Sequence, residues 1–363
     1  MTHRISRRTA TALGLSAVAG MGLAACVPGE GSETSEAGTG GSSGSQSGAG
    51  EWSTDSLTID WATYNPLSLV IREQQLLETA LGDSVTVEWV QSAGSNKANE
   101  FLRSGSADVA STAGSAALLA RSNESPIKVI GIYSQPEWAA LVVGKDSDIT
   151  GPADLAGRAV AATTGTDPYF FLVQTLAEAG LSIDDVELQP LQHADGRSAL
   201  EGGSVEAWSG LDPIMAAAEV ESGAKLVYRN VDFNTYGFLN ATEDFIENHA
   251  DVAQVVVDAY EQARTWALAN LEATAQLLAD AASIDLAVAA TVITERSNLD
   301  VSGVPGEDQL AVLEAISPML SESGDVQGGA DAVEKARGSI IHADFATAAV
   351  EKQTGEKQAV EKQ

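Results

Sequence analysis

Cysteine is all but missing from this chain: Cys26 stands alone among 363 residues. A single thiol forms no internal disulfide and no thiolate metal cage. Histidine is scarce too. His3, His193, His249 and His342 lie far apart without ligand spacing, which argues against a zinc enzyme, as the lone thiol argues against a cysteine protease. Basic residues are few, 20 against 51 acidic ones, for a formal charge of −31. That sign repels phosphate backbones and anionic lipid, so nucleic-acid binding and polybasic membrane attachment are poor hypotheses; the charge serves solubility. Aromatics are 5% of residues while hydrophobic residues are 44%, so the core is expected to be aliphatic. The length fits one large or two medium domains.

Arg4, Arg7 and Arg8 precede an apolar stretch from about Ala10 to Ala25. The stretch is too short and too rich in Ala and Gly to span a bilayer of ~30 Å. A basic segment followed by a short apolar one reads as a secretory signal, here residues 1–25. It closes on Leu23-Ala24-Ala25-Cys26, which looks like a bacterial lipobox, the motif whose cysteine is diacylated and becomes the new N-terminus. Two acyl chains supply the two signals that stable anchoring needs. Ser6-Arg7-Arg8 resembles a twin-arginine signal without its usual following pattern. Residues 26–56 are dominated by Gly, Ser, Thr and Glu and are expected to form a flexible, lipidated tether reaching ~30 Å. At the other end a Glu-Lys-Gln triplet begins at Glu351 and returns at Glu361, so residues 346–363 are expected to be helical or disordered.

From Leu57 short apolar strands alternate with amphipathic segments. Strands are expected at Leu57–Trp61, Val85–Val90, Ala107–Thr112, Ile127–Tyr133 and Ala139–Val143. One helix is expected over Leu67–Leu81, and others at Lys97–Arg103 and Ser115–Ala120. A second series starts near Thr150, with strands at Ala159–Ala162, Val186–Leu191, Val205–Trp208 and Leu226–Tyr228 separated by helices. Beyond Glu243 the pattern is helical, including one long stretch at Val252–Ala279. Two such βα series imply two mostly parallel α/β sheets, each covered by helices, with ligand recognition at the carboxyl ends of the strands in a cleft between them.

Several strand-to-helix turns carry one chemistry. Asn65-Pro66 combines an N-cap with proline at the first helical position. Gly94-Ser95-Asn96, Thr112-Ala113-Gly114-Ser115, Thr163-Thr164-Gly165-Thr166 before Asp167-Pro168, and Ser209-Gly210-Leu211-Asp212 before Pro213 each open a helix. Small side chains and bare amides at a helix start suit an anionic or strongly polar head group. Each turn alone is more often an ordinary cap; their recurrence carries the signal. No arginine stands in these turns, and Arg197 is the nearest one, with a surface salt bridge as its simpler role. Trp61, Tyr64, Trp138 and Trp208 are candidate pocket walls, although single aromatics more often serve the core.

Three blocks carry a resemblance: Gly105-Ser106-Ala107-Asp108-Val109-Ala110-Ser111-Thr112, Pro152-Ala153-Asp154-Leu155-Ala156-Gly157-Arg158-Ala159-Val160-Ala161, and Val205-Glu206-Ala207-Trp208-Ser209-Gly210-Leu211-Asp212-Pro213. In this order, and behind a lipobox, they resemble ABC-importer solute-binding proteins for aliphatic sulfonates, taurine and nitrate, over about Leu57 to Phe345. The resemblance implies a bilobed type II periplasmic-binding-protein fold, α/β, with two mixed sheets, flanking helices and a hinge. Lobe one is expected at 57–145 and 236–345 and lobe two at 146–235, with crossovers near Val143–Ser147 and Asn234–Gly237. The substrate-binding residues it implies are Tyr64, Asn65, Gly94, Ser95, Thr112, Ser115, Trp138, Thr164, Gly165, Thr166, Trp208 and Asp212. Leu211 stands where sulfonate binders usually carry an aromatic, and the Trp61–Asn65 turn is bulkier than usual, so the ligand is less determined than the transport role. The implied function is an extracytoplasmic, lipid-anchored receptor that closes on a small anion, a sulfonate first and nitrate, taurine or a pyrimidine-type nutrient as the alternative. Its implied partners are an ABC permease with its ATPase and the membrane, through Cys26. No cofactor, metal or nucleic acid is implied, and the chain is expected to be a monomer. Pyrimidine-precursor synthases share the fold but need a cofactor lysine and a cysteine-rich stretch; Lys97, Lys128 and Lys145 offer no convincing nucleophile setting.

Overall fold

Two five-stranded sheets organise residues 52–361, the part of the chain that this computed structural model describes, with side chains described to residue 355. The expected signal segment and Cys26 lie outside the described residues. The chain lays down β1 (Ser56–Trp61), α1 (Pro66–Glu73), α2 (Leu76–Leu81), β2 (Thr86–Gln91), α3 (Ser95–Ser104), β3 (Val109–Ala113), α4 (Gly114–Ser122) and β4 (Ile127–Ser134). It crosses over to β5 (Leu141–Val143), β6 (Ala159–Ala162), α5 (Asp167–Glu178), β7 (Glu187–Pro190), α6 (His193–Glu201), β8 (Ala207–Ser209), α7 (Ile214–Glu221) and β9 (Lys225–Tyr228). It returns through β10 (Gly237–Thr242) and ends in α8 (Glu243–Asn248), α9 (Ala250–Ala269), α10 (Leu271–Ala282), α11 (Leu286–Thr291), α12 (Glu307–Glu322), α13 (Gly329–Arg337) and α14 (Asp344–Glu361). A π-helical segment, Val292–Arg296, continues α11.

The first sheet runs β2-β1-β3-β10-β4 and the second β7-β6-β8-β5-β9. In each, the βα units pair in parallel, β1 with β2 and β3, β6 with β7 and β8. The strands that follow the two crossovers are the antiparallel ones: β10 lies between β3 and β4, and β5 between β8 and β9. Both sheets are therefore mixed. β3, β5 and β8 are buried along their whole length, as strands covered by helices on both faces must be.

Four expectations need correction. The first crossover precedes β5 instead of following it at Val143–Ser147. The Gly144-Lys145-Asp146 turn is the stronger sequence signal, yet the chain changes sheets across residues 135–140, where Glu137 N–H donates to the Arg296 carbonyl at 2.8 Å. The expected helix over Leu67–Leu81 breaks in two because Gln75 takes a left-handed φ of 50°; Leu77 and Leu81 still point inward, so the apolar period runs on through the break. The long stretch Val252–Ala279 likewise divides at Asn270, with φ −138°. Finally, the last residues of the expected tether are held on the fold, while the tail takes the helical one of its two expected forms. Trp52 Nε1 donates to the Leu81 carbonyl at 3.0 Å, and Ser53 N–H donates to Asp251 at 2.9 Å, so the last residues before β1 are docked on the fold. Residue 346 falls inside α14, where Phe345, Ala346 and Ala349 join the buried cluster that includes α9.

The apolar core is continuous across the two sheets. Leu69 of α1 clusters with Ala216 and Ala217 of α7, with Leu278 of α10 and with Val288 and Val292 of the segment that follows. Tyr64 and Trp138 cluster with Phe171 of α5 and with Leu211.

Candidate functional site

Helix N-termini from the two sheets meet face to face. Gly94 precedes α3 with φ +151°, a backbone that L side chains rarely adopt. A Cβ added there would lie 2.9 Å from His193 Nε2, at the start of α6 on the second sheet, and 2.9 Å from Asn96 Oδ1. Gly165, in the turn before α5, faces the first sheet at ordinary contact distance: its added Cβ would lie 3.8 Å from Leu119 and 4.0 Å from Asn96. Ser115 on α4 donates to Asp167 on α5 at 2.5 Å. Small residues at these turns allow the approach, and α3, α4, α5 and α6 thus aim their positive ends at a shared boundary. The first amides of α3, at Ser95 and Asn96, bond no other group among the described residues.

His193 is only 1% exposed. Thr163 spends its single hydroxyl proton on the Leu191 carbonyl at 2.7 Å, so the 3.1 Å contact from His193 Nδ1 must be donated by the imidazole. Nε2 is left as a bare acceptor without a partner, as is Asn96 Oδ1. Burial holds the imidazole pKa down to about 3, so the ring is neutral at physiological pH.

Asp167 sits at the seam. Its carboxylate accepts from Ser115 Oγ (2.5 Å), Trp138 Nε1 (2.8 Å), Thr235 N–H (2.7 Å) and Thr235 Oγ1 (2.7 Å). Trp138 and Thr235 belong to the two segments that connect the sheets, and Asn234 Oδ1 ties those segments together by accepting from Ala139 N–H at 2.9 Å. Burial pushes the Asp167 carboxyl above the ordinary carboxylate range, and the four donors pull it back.

Beneath this seam Asp60, at the carboxyl end of β1, accepts from Ser111 N–H at 2.8 Å and from the Ser111 hydroxyl. Burial raises its carboxyl to about 7 in spite of these donors. To one side, Arg296 pairs with Asp212 at 3.2 Å and with Glu219 at 2.8 Å, bridging the C-terminal helices to the second sheet. Asp212 also caps α7 by accepting from Ala216 N–H at 3.0 Å. Its carboxyl is raised to about 6 by burial, which outweighs the pull of Arg296. The gap bordered by Tyr64, Pro136, Trp138, Asp212 and Arg296 encloses ≈ 10 Å³, no more than one water needs. The two sheets are closed on each other at this wall, and a larger solute enters only if they part.

The residues singled out in the sequence divide into two groups. Tyr64, Gly94, Ser115, Trp138, Gly165 and Asp212 lie at the boundary, Tyr64 and Trp138 in edge-on contact at 6.1 Å. The others are engaged elsewhere. Asn65 caps α1 through Ser68 N–H and donates to Tyr260 at 3.0 Å. The Ser95 hydroxyl accepts from Ala113 N–H at 2.9 Å, Thr112 Oγ1 bonds Ala113 and Asn240, and Thr166 Oγ1 donates to the Thr163 carbonyl at 2.6 Å. Thr164 is exposed. Trp208 is 0% exposed and packs among second-sheet residues, over Gly196, because β8 is central in its sheet; it walls no gap between the sheets. Trp61 carries the Arg72 guanidinium 4.5 Å above its ring, and Arg197 pairs with Glu201 and Glu221. Sequence reasoning missed Asp167, His193, Thr235 and Arg296. Asp167 and His193 stand at helix starts and could have been found by extending the cap argument; Arg296 gave no signal.

A wider groove of ≈ 890 Å³ lies at the C-terminal end of α4, lined by Arg103, Arg121, Pro126, Glu243, Asp325 and Lys335 among others. No residue of the second sheet reaches it, so it lacks the facing helix ends that distinguish the boundary.

Known proteins share the fold. The chain is 27% identical over 261 residues to a protein of Escherichia coli (strain K12) named as an aliphatic sulfonates-binding protein, covering 71% of this chain and 82% of that one. The crystal structure of the periplasmic aliphatic sulphonate binding protein SsuA from Escherichia coli superposes with a TM-score of 0.68 at 24% identity, over 78% of this chain and 92% of that one. The alkanesulfonate-binding protein SsuA from Xanthomonas axonopodis pv. citri, bound to MOPS, superposes with a TM-score of 0.67 at 21% identity, over 82% and 98%. They share the two-lobed fold, each sheet with its helices forming one lobe. The family described as NMT1/THI5 like matches residues 83–274, more than half of the chain, and the chain belongs to that family.

Proposed function

We infer that the chain is the solute-binding receptor of an ABC importer and that its solute is an aliphatic sulfonate. The observation that carries this is the meeting of the α3 and α6 N-termini, with bare amides at Ser95 and Asn96 and with His193 2.9 Å from the position of a Gly94 Cβ. Unpaired helix-start amides recognise an anion without a full positive charge. Two lobes joined by two short crossovers supply the hinge that closes over it. The names of the relatives support the sulfonate reading over nitrate or a pyrimidine. The same reading makes the chain a receptor without catalytic residues, with a permease and its ATPase as partners. Calorimetric titration of the purified chain at micromolar concentration should detect short alkanesulfonates and no heat from nitrate or pyrimidines. Silence from every sulfonate with folded protein would overturn the proposal.

Attachment to the outer face of the cell membrane rests on Cys26 and its Leu23-Ala24-Ala25 context. Among the described residues no helix is long and apolar enough to cross a membrane. The Cys26→Ser chain should appear in the soluble fraction after cell lysis, while the unaltered chain sediments with membranes. A Cys26→Ser chain that still sediments would remove the lipid anchor from the account.

A further inference from the structure

We propose that the groove at the C-terminal end of α4 holds a zwitterionic phospholipid headgroup, a phosphate ester joined to a primary ammonium, at the membrane to which the tether leads. The inference rests on the reading of Cys26 as a lipid anchor and is independent of the solute. At ≈ 890 Å³ the groove is of ligand-binding size. Its lining carries unpaired charge of both signs. Arg103 and Lys335 are the cations and Glu124 and Asp325 the carboxylates, and none of the four has an ion-pair partner among the described residues. Most other basic side chains of the fold are paired, so two free ones gathered in one groove stand out. Ser122 and Ser125 line the same groove at 5% and 4% exposure, and neither hydroxyl has a hydrogen-bond partner. Buried hydroxyls are rarely left without one. α13 starts from Gly328, in the groove wall, without a capping side chain, so its first amides are bare. A ligand that answers all of these groups carries an anion and a cation a few bonds apart. Phosphoethanolamine does. A purely anionic headgroup leaves the carboxylates unmatched and is repelled by the formal charge of −31.

Position makes the membrane its source. α4 begins at the boundary, at Ser115, so its other end lies at the opposite pole of the first lobe. There Glu243 N–H donates to the Pro126 carbonyl at 2.8 Å, both residues lining the groove, and Thr242 N–H donates to the Asp108 carbonyl at 3.0 Å. The Asp108 carboxylate accepts from Thr58 N–H, in β1, at 2.8 Å. The chain joins the fold at this same pole, through Trp52 and Ser53, which lead back to Cys26. One headgroup contact is weak by itself. A short flexible tether, however, holds the groove beside the membrane at an effective concentration on the order of a millimolar, enough to populate a contact of similar affinity.

Vesicle flotation tests this on the purified Cys26→Ser chain, which has no acyl chains of its own. At about millimolar lipid it should float with equal phosphatidylethanolamine and phosphatidylcholine about fivefold more than with phosphatidylcholine alone, or with equal phosphatidylglycerol and phosphatidylcholine. Two double substitutions on exposed side chains, Arg103→Gln with Lys335→Gln and Glu124→Gln with Asp325→Asn, should each remove that preference while sulfonate affinity stays unchanged. Equal flotation on all three vesicles, strongest flotation with phosphatidylglycerol, or none at all would overturn the inference. So would a preference that survives both double substitutions, since the contact would then lie elsewhere. Fractionation of cells decides the anchor separately. An unaltered chain that sediments through Cys26 but shows no headgroup preference in flotation sinks the groove alone. A Cys26→Ser chain that sediments as before sinks the anchor, and flotation still decides whether the groove reads the headgroup.

Discussion

Replacing Asp167 by alanine should lower the melting temperature by roughly 5 °C and weaken solute binding about tenfold. The carboxylate takes four hydrogen bonds from three residues, and those residues lie on the first lobe and on both crossovers. Alanine leaves the Trp138 indole N–H and the Thr235 amide without acceptors inside the fold, while the hydroxyls of Ser115 and Thr235 lose their best one. Orphaned buried donors cost on the order of 1–3 kcal/mol each, and partial hydration of the space left behind brings the net loss to about 3 kcal/mol. Binding suffers because the closed arrangement loses the bond that joins α4 to α5. Asp167→Asn keeps the shape and one carbonyl oxygen, and the two hydroxyls can turn to accept from its amide, so its loss should be well under half as large. Thermal melting and calorimetry on the three proteins test this. An Asp167→Ala chain as stable and as tight as the parent would show that the carboxylate is a bystander.

Gly94→Ala should lower stability through its backbone and, through a clash across the boundary, hold the lobes apart and cut solute affinity by at least about tenfold. Its backbone φ of +151° is strained for any L side chain, typically by about 1–3 kcal/mol. The methyl group would also stand 2.9 Å from the His193 ring, which is nearer than side-chain carbons approach, and only when the lobes are closed. The clash thus penalises the closed form alone, and a penalty on one form shifts the population toward the other. Small-angle scattering should give the variant a larger radius of gyration than the parent when solute is present. An unchanged radius and an unchanged affinity would mean that closure tolerates a side chain here, contrary to the geometry.

Local chemistry made much of the fold legible. β1, β2, β4 and β6 are short apolar runs bounded by turn residues, and they appear within a residue or so of where the pattern places them. The turns at Gly94, Gly114 and Gly165 announced helix starts because few other sequences permit a strand to end and a helix to begin so abruptly. What stayed hidden was partnership across long stretches of chain. Asp167 looks like a prelude to Pro168 until Ser115, 52 residues earlier, and Thr235, 68 residues later, are brought to it. Arg296 lies 84 residues beyond Asp212 and reads as one charge near a helix end. The crossover before β5 was misplaced for a related reason: the segment Ala139–Val143 is strand-like in either sheet, and only its pairing with β8 and β9 says which. The break at Gln75 had no residue to announce it, since glutamine is an ordinary helix former.

The seating of α7 against Leu69, Leu278 and Val288, with Arg296 already paired to Asp212 and Glu219, bears on the tempo of capture. Apolar contact and ion pair must both be given up before any solute gains entry, and neither belongs to the solute itself. Uptake by such a chain is paced from within: at high solute the rate of loading levels off at the frequency with which the jaws part, however crowded the surroundings become.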